Sequence, residues 1–311
     1  MLIGIDVGGT NLVAAKVSDS GQIVNKAKAK VGNNDTAEEL CRKILSIAKT
    51  AAGSDKRIES VGVGFPGLVD NTAGTIVHTP NMPFRNTPFR YMFQKEWDVP
   101  IYMGNDANCA AVGEFCEGAA KGYDSSLTIT LGTGIGGGFI LHGKLFGGSS
   151  NGAMEVGHMI IEPQGHICGC GNRGCFEQYG SATALIRDAK YHMGENRSSV
   201  LWEICSGKIE ELDGRMVFEA AAMDDVTAIK TIDMYTTYLA IGISNLVNIL
   251  QPEIVCIGGG ISHADEKLLI SPIKEKIQKH VYDKKSSLRI ERALLGNDAG
   301  VIGAAMLGRA I

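Results

Sequence analysis

Residues 155–177 read EVGHMIIEPQGHICGCGNRGCFE, a stretch dense in metal-binding side chains. Three of the chain's eight cysteines fall within eight residues, and two histidines precede them: Cys168, Cys170, Cys175, His158 and His166. Thiolate and imidazole are preferred zinc ligands, and four of them close a structural zinc site. The alternative is a glycine-rich loop with three unligated thiols. The spacing favours zinc.

Two carboxylates, Glu155 and Glu177, bracket this cluster. A metal that pins the loop would also fix the directions of these acids, as supporting residues do around a site. We therefore expect the loop to be a rigid platform that holds a ligand.

The composition is that of an ordinary globular protein. With 311 residues, 44% hydrophobic and 21% charged, the chain suggests two domains and a sizeable core. The net charge of −4 gives no reason to expect nucleic acid or a membrane surface as a partner. The opening MLIGIDVGG predicts an immediate strand without a signal peptide, and no apolar run approaches the ~20 residues that span a bilayer.

The remaining cysteines indicate the compartment. They lie in apolar or helical segments, where small buried residues are expected rather than disulfides: Cys41, Cys109, Cys116, Cys205 and Cys256. This pattern fits a reducing environment, and we expect a cytoplasmic protein.

The chain opens with an apolar strand, residues 2–7, that runs into a glycine turn. The turn residues are Gly8, Gly9, Thr10 and Asn11. Such a turn lets backbone N–H groups approach a phosphate, and Asp6 at the strand's end could hold Mg²⁺ through water. An ordinary hairpin turn fits the segment equally well. No Walker sequence occurs in the chain.

Asp106 follows a predicted strand over residues 99–106 and opens a helix. A carboxylate in a first helical turn is favoured by the helix dipole, so Asp106 can be interpreted as an N-terminal cap. Its place at the carboxyl end of a strand, where open sheets bind ligands, keeps a catalytic interpretation open. Residues 78–90, upstream of this strand, predict a loop.

A second strand with a glycine turn spans residues 126–140. Its turn formally matches the dinucleotide-binding pattern with Gly132, Thr133, Gly134, Gly136 and Gly137. That pattern must open a helix, whereas these glycines lead into a predicted hairpin that turns near His142 and Gly143. A third turn carries Gly258, Gly259 and Gly260. Together the three turns predict loops that converge on a polyphosphate and a nucleoside.

The cysteine run Cys168–Glu177, preceded by Glu155-Val-Gly-His158, resembles the signature of the ROK family (repressors, open reading frames and sugar kinases). The resemblance extends over essentially the whole chain. It implies an α/β fold of the two-lobed actin-like ATPase type found in hexokinases, with a cleft between the lobes. A small lobe would cover residues 1–118, a large lobe with the zinc loop 119–297, and the last helix, 298–311, would pack back on the small lobe.

The resemblance also implies roles for individual residues. Asp106 would be the catalytic base, and zinc would be held by His158, Cys168, Cys170 and Cys175. Phosphates would lie at Gly8–Asn11 and Gly132–Gly137, and the nucleoside near Gly258–Gly260. The implied sugar contacts are Asn81, Asn105, Asp106, Glu155, His158 and Glu177.

The activity implied is transfer of phosphate from ATP to a hexose, with Mg²⁺ and a structural Zn²⁺ as cofactors and a homodimer as the assembly. The segments TPNMPFRN and EQYGSATALI are most similar to the family's glucokinases, which favours glucose. The chain departs from the family at Met154, where glycine usually precedes the residue that Glu155 matches.

Other functions remain to be weighed. The hexose could instead be fructose, mannose, allose, N-acetylglucosamine or N-acetylmannosamine. A sugar-sensing repressor would need an N-terminal helix-turn-helix, for which a strand starting at residue 2 leaves no room. A zinc-dependent structural protein would need neither Asp106 nor the glycine turns, and calorimetry with a nucleotide separates it from the kinase.

Overall fold

The computed structural model describes residues 1–32, 34–55, 57–80, 82–285 and 287–310, which form the mixed α/β architecture that the sequence predicts. The strands are β1 Leu2–Val7, β2 Asn11–Val17, β3 Ile23–Lys30, β4 Ser60–Phe65, β5 Leu68–Asp70, β6 Thr75–His78, β7 Arg85–Thr87, β8 Ile101–Asn105, β9 Ser125–Leu131, β10 Ile135–Leu141, β11 Lys144–Leu145, β12 Ile254–Gly258 and β13 Arg289–Arg292. The α-helices are α1 Ala37–Ala52, α2 Phe89–Gln94, α3 Asp106–Glu117, α4 Glu177–Gly180, α5 Ala182–Glu195, α6 Leu201–Ile204, α7 Gly214–Ala222, α8 Val226–Leu250, α9 Ile270–His280 and α10 Ala299–Ala310.

The first sheet has the strand order β3-β2-β1-β4-β8. Strands β1 to β3 form antiparallel hairpins, whereas β1, β4 and β8 run parallel. The carboxyl ends of these parallel strands therefore meet at one edge, where Asp6 lies opposite Gly64 and Phe65 lies opposite Asn105. Helix α1 covers one face and begins at the capping box that the sequence predicts, with Thr36 and Glu39 bonded reciprocally.

The second sheet has the order β11-β10-β9-β12-β13, and a third, small sheet has the order β5-β6-β7. The prediction of a loop over residues 78–90 was therefore wrong in part, because β6 ends at His78 and β7 occupies Arg85–Thr87. Strands of three or four residues are too short to show alternation in a sequence.

The chain divides into two compact units. The first consists of Met1–Thr128, Gly137–Met154 and Ala293–Ile311, and the second of Ile129–Gly136 and Glu155–Arg292. Within the part of the chain described here, no helix is long and apolar enough to cross a membrane. Four of the five cysteines outside the loop are buried and Cys116 is half-buried, and none forms a disulfide.

Helix α10 is held in the first unit by a buried carboxylate that the sequence did not single out. Glu114 of α3 is fully buried, and it accepts hydrogen bonds from the backbone N–H groups of Ala119, Leu294 and Leu295 at 2.8, 3.0 and 2.8 Å. Three donors satisfy a charge that would otherwise be destabilising to bury. Glu114 thereby ties α3 to the segment that leads into α10.

The contact between α10 and α3 depends on Gly303. A Cβ atom at this position would lie 1.6 Å from the carbonyl oxygen of Cys109, so the two backbones could not keep their present distance. We expect Gly303→Ala to lower the free energy of unfolding by about 3 kcal/mol, measured by denaturant titration. The matched control is Gly194→Ala in α5, where an added Cβ meets nothing within 4 Å and alanine is the better helix former. Equal stability of the two variants would contradict this packing.

Candidate active site

Two carboxylates lie at the carboxyl edge of the first sheet. Asp6 is the penultimate residue of β1, and Asp106 is the first residue of α3, directly after β8. Because β1 and β8 are separated only by β4, their backbones are roughly 10 Å apart. Asp106 is exposed, whereas burial raises the pKa of Asp6 above its usual range.

Cys109 of α3 is near enough to both acids for their charges to act on its thiol. Its thiol is fully buried, and its pKa is raised by burial and further by the negative charges of Asp6 and Asp106. The sequence predicted Cys109 as a core residue, and the structure confirms it.

The cap of α3 is Asn105, so the interpretation of Asp106 as the N-cap was wrong. The Asn105 side-chain oxygen accepts from the N–H groups of Ala107 and Asn108 at 2.8 and 3.2 Å. Its amide nitrogen donates to the carbonyl of Gly67 at 3.1 Å, which ties the turn after β4 to the helix. Asn105, which the family resemblance offers as a sugar contact, thus uses most of its hydrogen-bonding capacity to position Asp106.

The first glycine turn closes the β1–β2 hairpin beside Asp6. The N–H of Gly8 donates to the carbonyl of Asn11 at 2.9 Å, and Gly9, Thr10 and Asn11 are exposed. Of the sugar contacts expected in the first unit, Asn81 lies outside the described residues.

Glu155 and His158 lie on one turn of 3-10 helix in the second unit. The turn spans Val156–His158, with Glu155 as its N-cap residue and the His158 N–H donating to the Glu155 carbonyl at 3.1 Å. The two residues are therefore held three positions apart at the ends of this turn. Both are exposed.

The four proposed zinc ligands are brought together. The donor atoms of His158, Cys168, Cys170 and Cys175 all lie within 4.8 Å of one another. Zinc bonds of about 2.3 Å to sulfur and about 2.0 Å to nitrogen place neighbouring ligands of a tetrahedron roughly 3.5–3.8 Å apart. The Cys170 and Cys175 sulfurs are 3.6 Å apart, and the Cys168 sulfur is 3.7 Å from His158 Nδ1, so the donors fit this ion.

Two thiols of the cluster have pKa values shifted in opposite directions. Burial raises the pKa of Cys175 to about 12, whereas a hydrogen bond from the backbone N–H of Asn172 lowers the pKa of Cys170. His166 is outside the cluster, because its ring lies against Tyr179 with centroids 5.5 Å apart. Of the two histidines that the sequence suggests as zinc ligands, His158 has its ring at the thiols and His166 does not.

Glu177 links the cysteine loop to the second glycine turn. One carboxylate oxygen accepts from the N–H of Ile135 at 3.2 Å, and the other lies 4.0 Å from the Cys168 sulfur. The turn is also held by Thr183, whose hydroxyl donates to the carbonyl of Thr133 at 2.8 Å. Sequence reasoning missed Thr183, although its place in the first turn of a helix capped by Ser181 was a signal.

The third glycine turn lies against the end of β9, which leads into the second turn. Gly259 has φ of 86°, and a Cβ there would be 2.3 Å from the carbonyl oxygen of Leu131. Only glycine allows this close approach. The structure therefore brings the start of the second glycine turn, after Leu131, and the Gly258–Gly260 turn together in the second unit. The glycines of the second turn continue into β10 rather than a helix, as the sequence predicts.

Met154, the departure from the family pattern, has φ of 69°. This left-handed conformation is adopted readily by glycine and disfavours other residues by roughly 1–2 kcal/mol. This backbone conformation explains why the family usually has glycine at this position. In this chain, Met154 leaves the backbone strained directly before Glu155.

Comparison with known proteins agrees with this arrangement. The sequence matches the ROK family over residues 2–311. It is 35% identical to a glucokinase of Thermotoga maritima over 309 residues, covering 98% of this chain and 96% of the relative. It is 30% identical to a xylose repressor of Caldicellulosiruptor bescii, covering 97% of this chain and 76% of the repressor.

A solved structure shows the same fold. The ROK family glucokinase from Streptomyces griseus, crystallised in complex with glucose and AMPPNP, superposes with a TM-score of 0.85 at 34% identity, covering 98% of each chain. The fold is thus the actin-like ATPase fold of the sugar kinases, as the cysteine motif implied. The chain belongs to the ROK family.

Proposed function

We propose that the protein transfers the γ-phosphoryl group of ATP to the 6-hydroxyl of glucose. The observation that carries this proposal is the exposed Asp106 carboxylate, which follows the cap residue Asn105 at the same sheet edge as Asp6 and the first glycine turn. Phosphoryl transfer needs such a carboxylate to accept the hydroxyl proton, with donors and a cation at the phosphates. Glucokinase relatives of nearly equal length support glucose as the acceptor.

In this proposal Asp106 orients the 6-hydroxyl and accepts its proton as the oxygen attacks phosphorus. Glu155, His158 and Glu177 hold the other hydroxyls, because carboxylates and imidazole can fix several hydroxyls at set angles. His158 Nδ1 lies at the thiols, which leaves Nε2 for the sugar. Asn81 and Asn105 are proposed sugar contacts on the family resemblance.

Backbone N–H groups would hold the nucleotide. Those of Gly8–Asn11 and Gly132–Gly137 are proposed for the phosphates, and those of Gly258–Gly260 for the nucleoside. A Mg²⁺ ion held by Asp6 through water would neutralise charge on the phosphates, and a Zn²⁺ ion held by His158 and the three cysteines would fix the loop. A homodimer is proposed from the family resemblance.

A panel of hexoses with ATP and Mg²⁺, scored as kcat/KM, tests the proposal. We expect glucose to have the highest value, with fructose, mannose, allose and the N-acetylated hexoses lower. A different preferred sugar would change only the substrate. Binding of a sugar without any turnover would instead favour the sensing role suggested by the repressor relatives.

A further inference from the structure

Strand β3 carries three lysines on one face, and they lead to the first glycine turn. Lys26, Lys28 and Lys30 alternate with Ala27 and Ala29 and are all exposed, while the alanines pack against the core under α1. The register places Lys30 opposite Asn11, the last residue of the turn. The N–H of Val31 donates to the carbonyl of Thr10 at 3.1 Å, so the end of β3 is fixed to the turn itself.

All three lysines lie on the same side of the sheet as Asp6. Lys28 pairs with Val13, and Val13 pairs with Asp6, so the three side chains form one row across β3, β2 and β1. Two strand spacings put the backbones of Lys28 and Asp6 roughly 10 Å apart. That distance equals the Debye length at about 0.1 M salt, so charges on Lys28 and Lys30 reach the turn in dilute buffer.

The lysines differ in their ion pairs. Lys26 is paired with Asp298, in the segment before α10. Among the described residues, Lys28 and Lys30 have no carboxylate within ion-pair distance. The chain as a whole carries a net charge of −4, but these two unpaired lysines make the electrostatic potential beside the glycine turn positive.

We propose that Lys28 and Lys30 attract the polyphosphate tail of the nucleotide toward the Gly8–Asn11 turn. The inference rests on the proposed kinase function. Lysines on an edge strand also discourage strand pairing between molecules, and β3 is an edge strand. If the lysines only prevented strand pairing, replacing them would not change nucleotide binding.

The test is the double charge reversal Lys28→Glu/Lys30→Glu. Its matched control is Lys279→Glu/Lys285→Glu, which changes the same net charge at exposed positions of the second unit. We expect kcat/KM for ATP to fall about tenfold at low ionic strength, with the loss shrinking to about twofold near 0.5 M salt. The KM for glucose should be unchanged in this variant. In the control variant, kcat/KM for ATP should equal that of the unaltered protein. A loss under twofold, an equal loss in the control, or a loss insensitive to salt would overturn the inference.

Calorimetry with a non-hydrolysable ATP analogue separates this inference from the proposed function. If the protein phosphorylated no hexose, the kinase proposal would fail. A Kd for the analogue raised about tenfold in Lys28→Glu/Lys30→Glu at low salt would still support the proposal that these lysines attract the polyphosphate tail. An equal Kd in that variant and its control, or no binding by the unaltered protein, would overturn their role.

Discussion

Replacing Asp106 by asparagine is expected to lower kcat by about 10²–10⁴-fold. The amide can still hydrogen-bond the sugar hydroxyl but cannot accept its proton, so glucose binding should weaken far less than turnover. Asn105 caps α3, and an asparagine oxygen at position 106 can still accept from the Ala107 N–H, as Asp106 Oδ1 does at 2.8 Å, so the melting temperature should change little. The measurements are kcat, the glucose Kd and the melting temperature.

The control is Glu38→Gln, which makes the same carboxylate-to-amide change in the first turn of α1. It removes the same favourable interaction with a helix dipole at an exposed position. We expect its kcat to equal that of the unaltered protein. An Asp106→Asn protein that kept more than about a tenth of the original kcat would show that Asp106 is not the base.

Removal of one cysteine from the cluster should release the metal. We expect about one zinc per chain in the unaltered protein and nearly none in Cys170→Ser, because a hydroxyl is a poor replacement for a thiolate. Cys170 is exposed, so the substitution leaves no cavity in the core. The glucose Kd should rise about 10–100-fold, since His158 would lose the bond that orients its ring.

Elemental analysis of protein prepared without chelator and glucose calorimetry give the two readouts. Cys116→Ser is the control, because Cys116 is half-buried and lies outside the cluster. Zinc retained in Cys170→Ser, or glucose binding equal to that of Cys116→Ser, would refute a zinc-braced sugar site.

Local chemistry made much of the fold predictable. The turn at His142 and Gly143 has positive φ at both residues, 51° and 74°, as a two-residue hairpin requires. The Thr36–Glu39 capping box likewise begins α1 where the sequence placed it. Each of these features depends on residues within four positions of one another, so a single sequence contains the necessary information.

The parts that sequence reasoning missed depend on distant partners or on backbone angles. In the sequence, Glu114 is an ordinary helical glutamate. Its buried role becomes visible only from the hydrogen bonds that its carboxylate accepts from Leu294 and Leu295, 180 and 181 residues further along. Asn105 and Asp106 are both good capping residues, and only the geometry assigns the cap. Met154 shows its strain only through φ.

The candidate site divides in the same way. The family motif named the four zinc-ligand candidates, which the structure brings together. Neither the motif nor the spacing indicated that Glu177 would hold the backbone of the second glycine turn, because that contact joins residues 42 positions apart. The second carboxylate oxygen of Glu177 and His158 Nε2 are among the groups that we propose to bind sugar hydroxyls.

The most direct test is to count products in one reaction that contains the protein, ATP, Mg²⁺ and glucose. Phosphorus NMR would identify the sugar phosphate, and a separate assay would measure ADP. Our account predicts one glucose 6-phosphate for each ADP, with ADP release negligible when glucose is omitted. ADP formed without sugar phosphate, or neither product with any hexose, would contradict it.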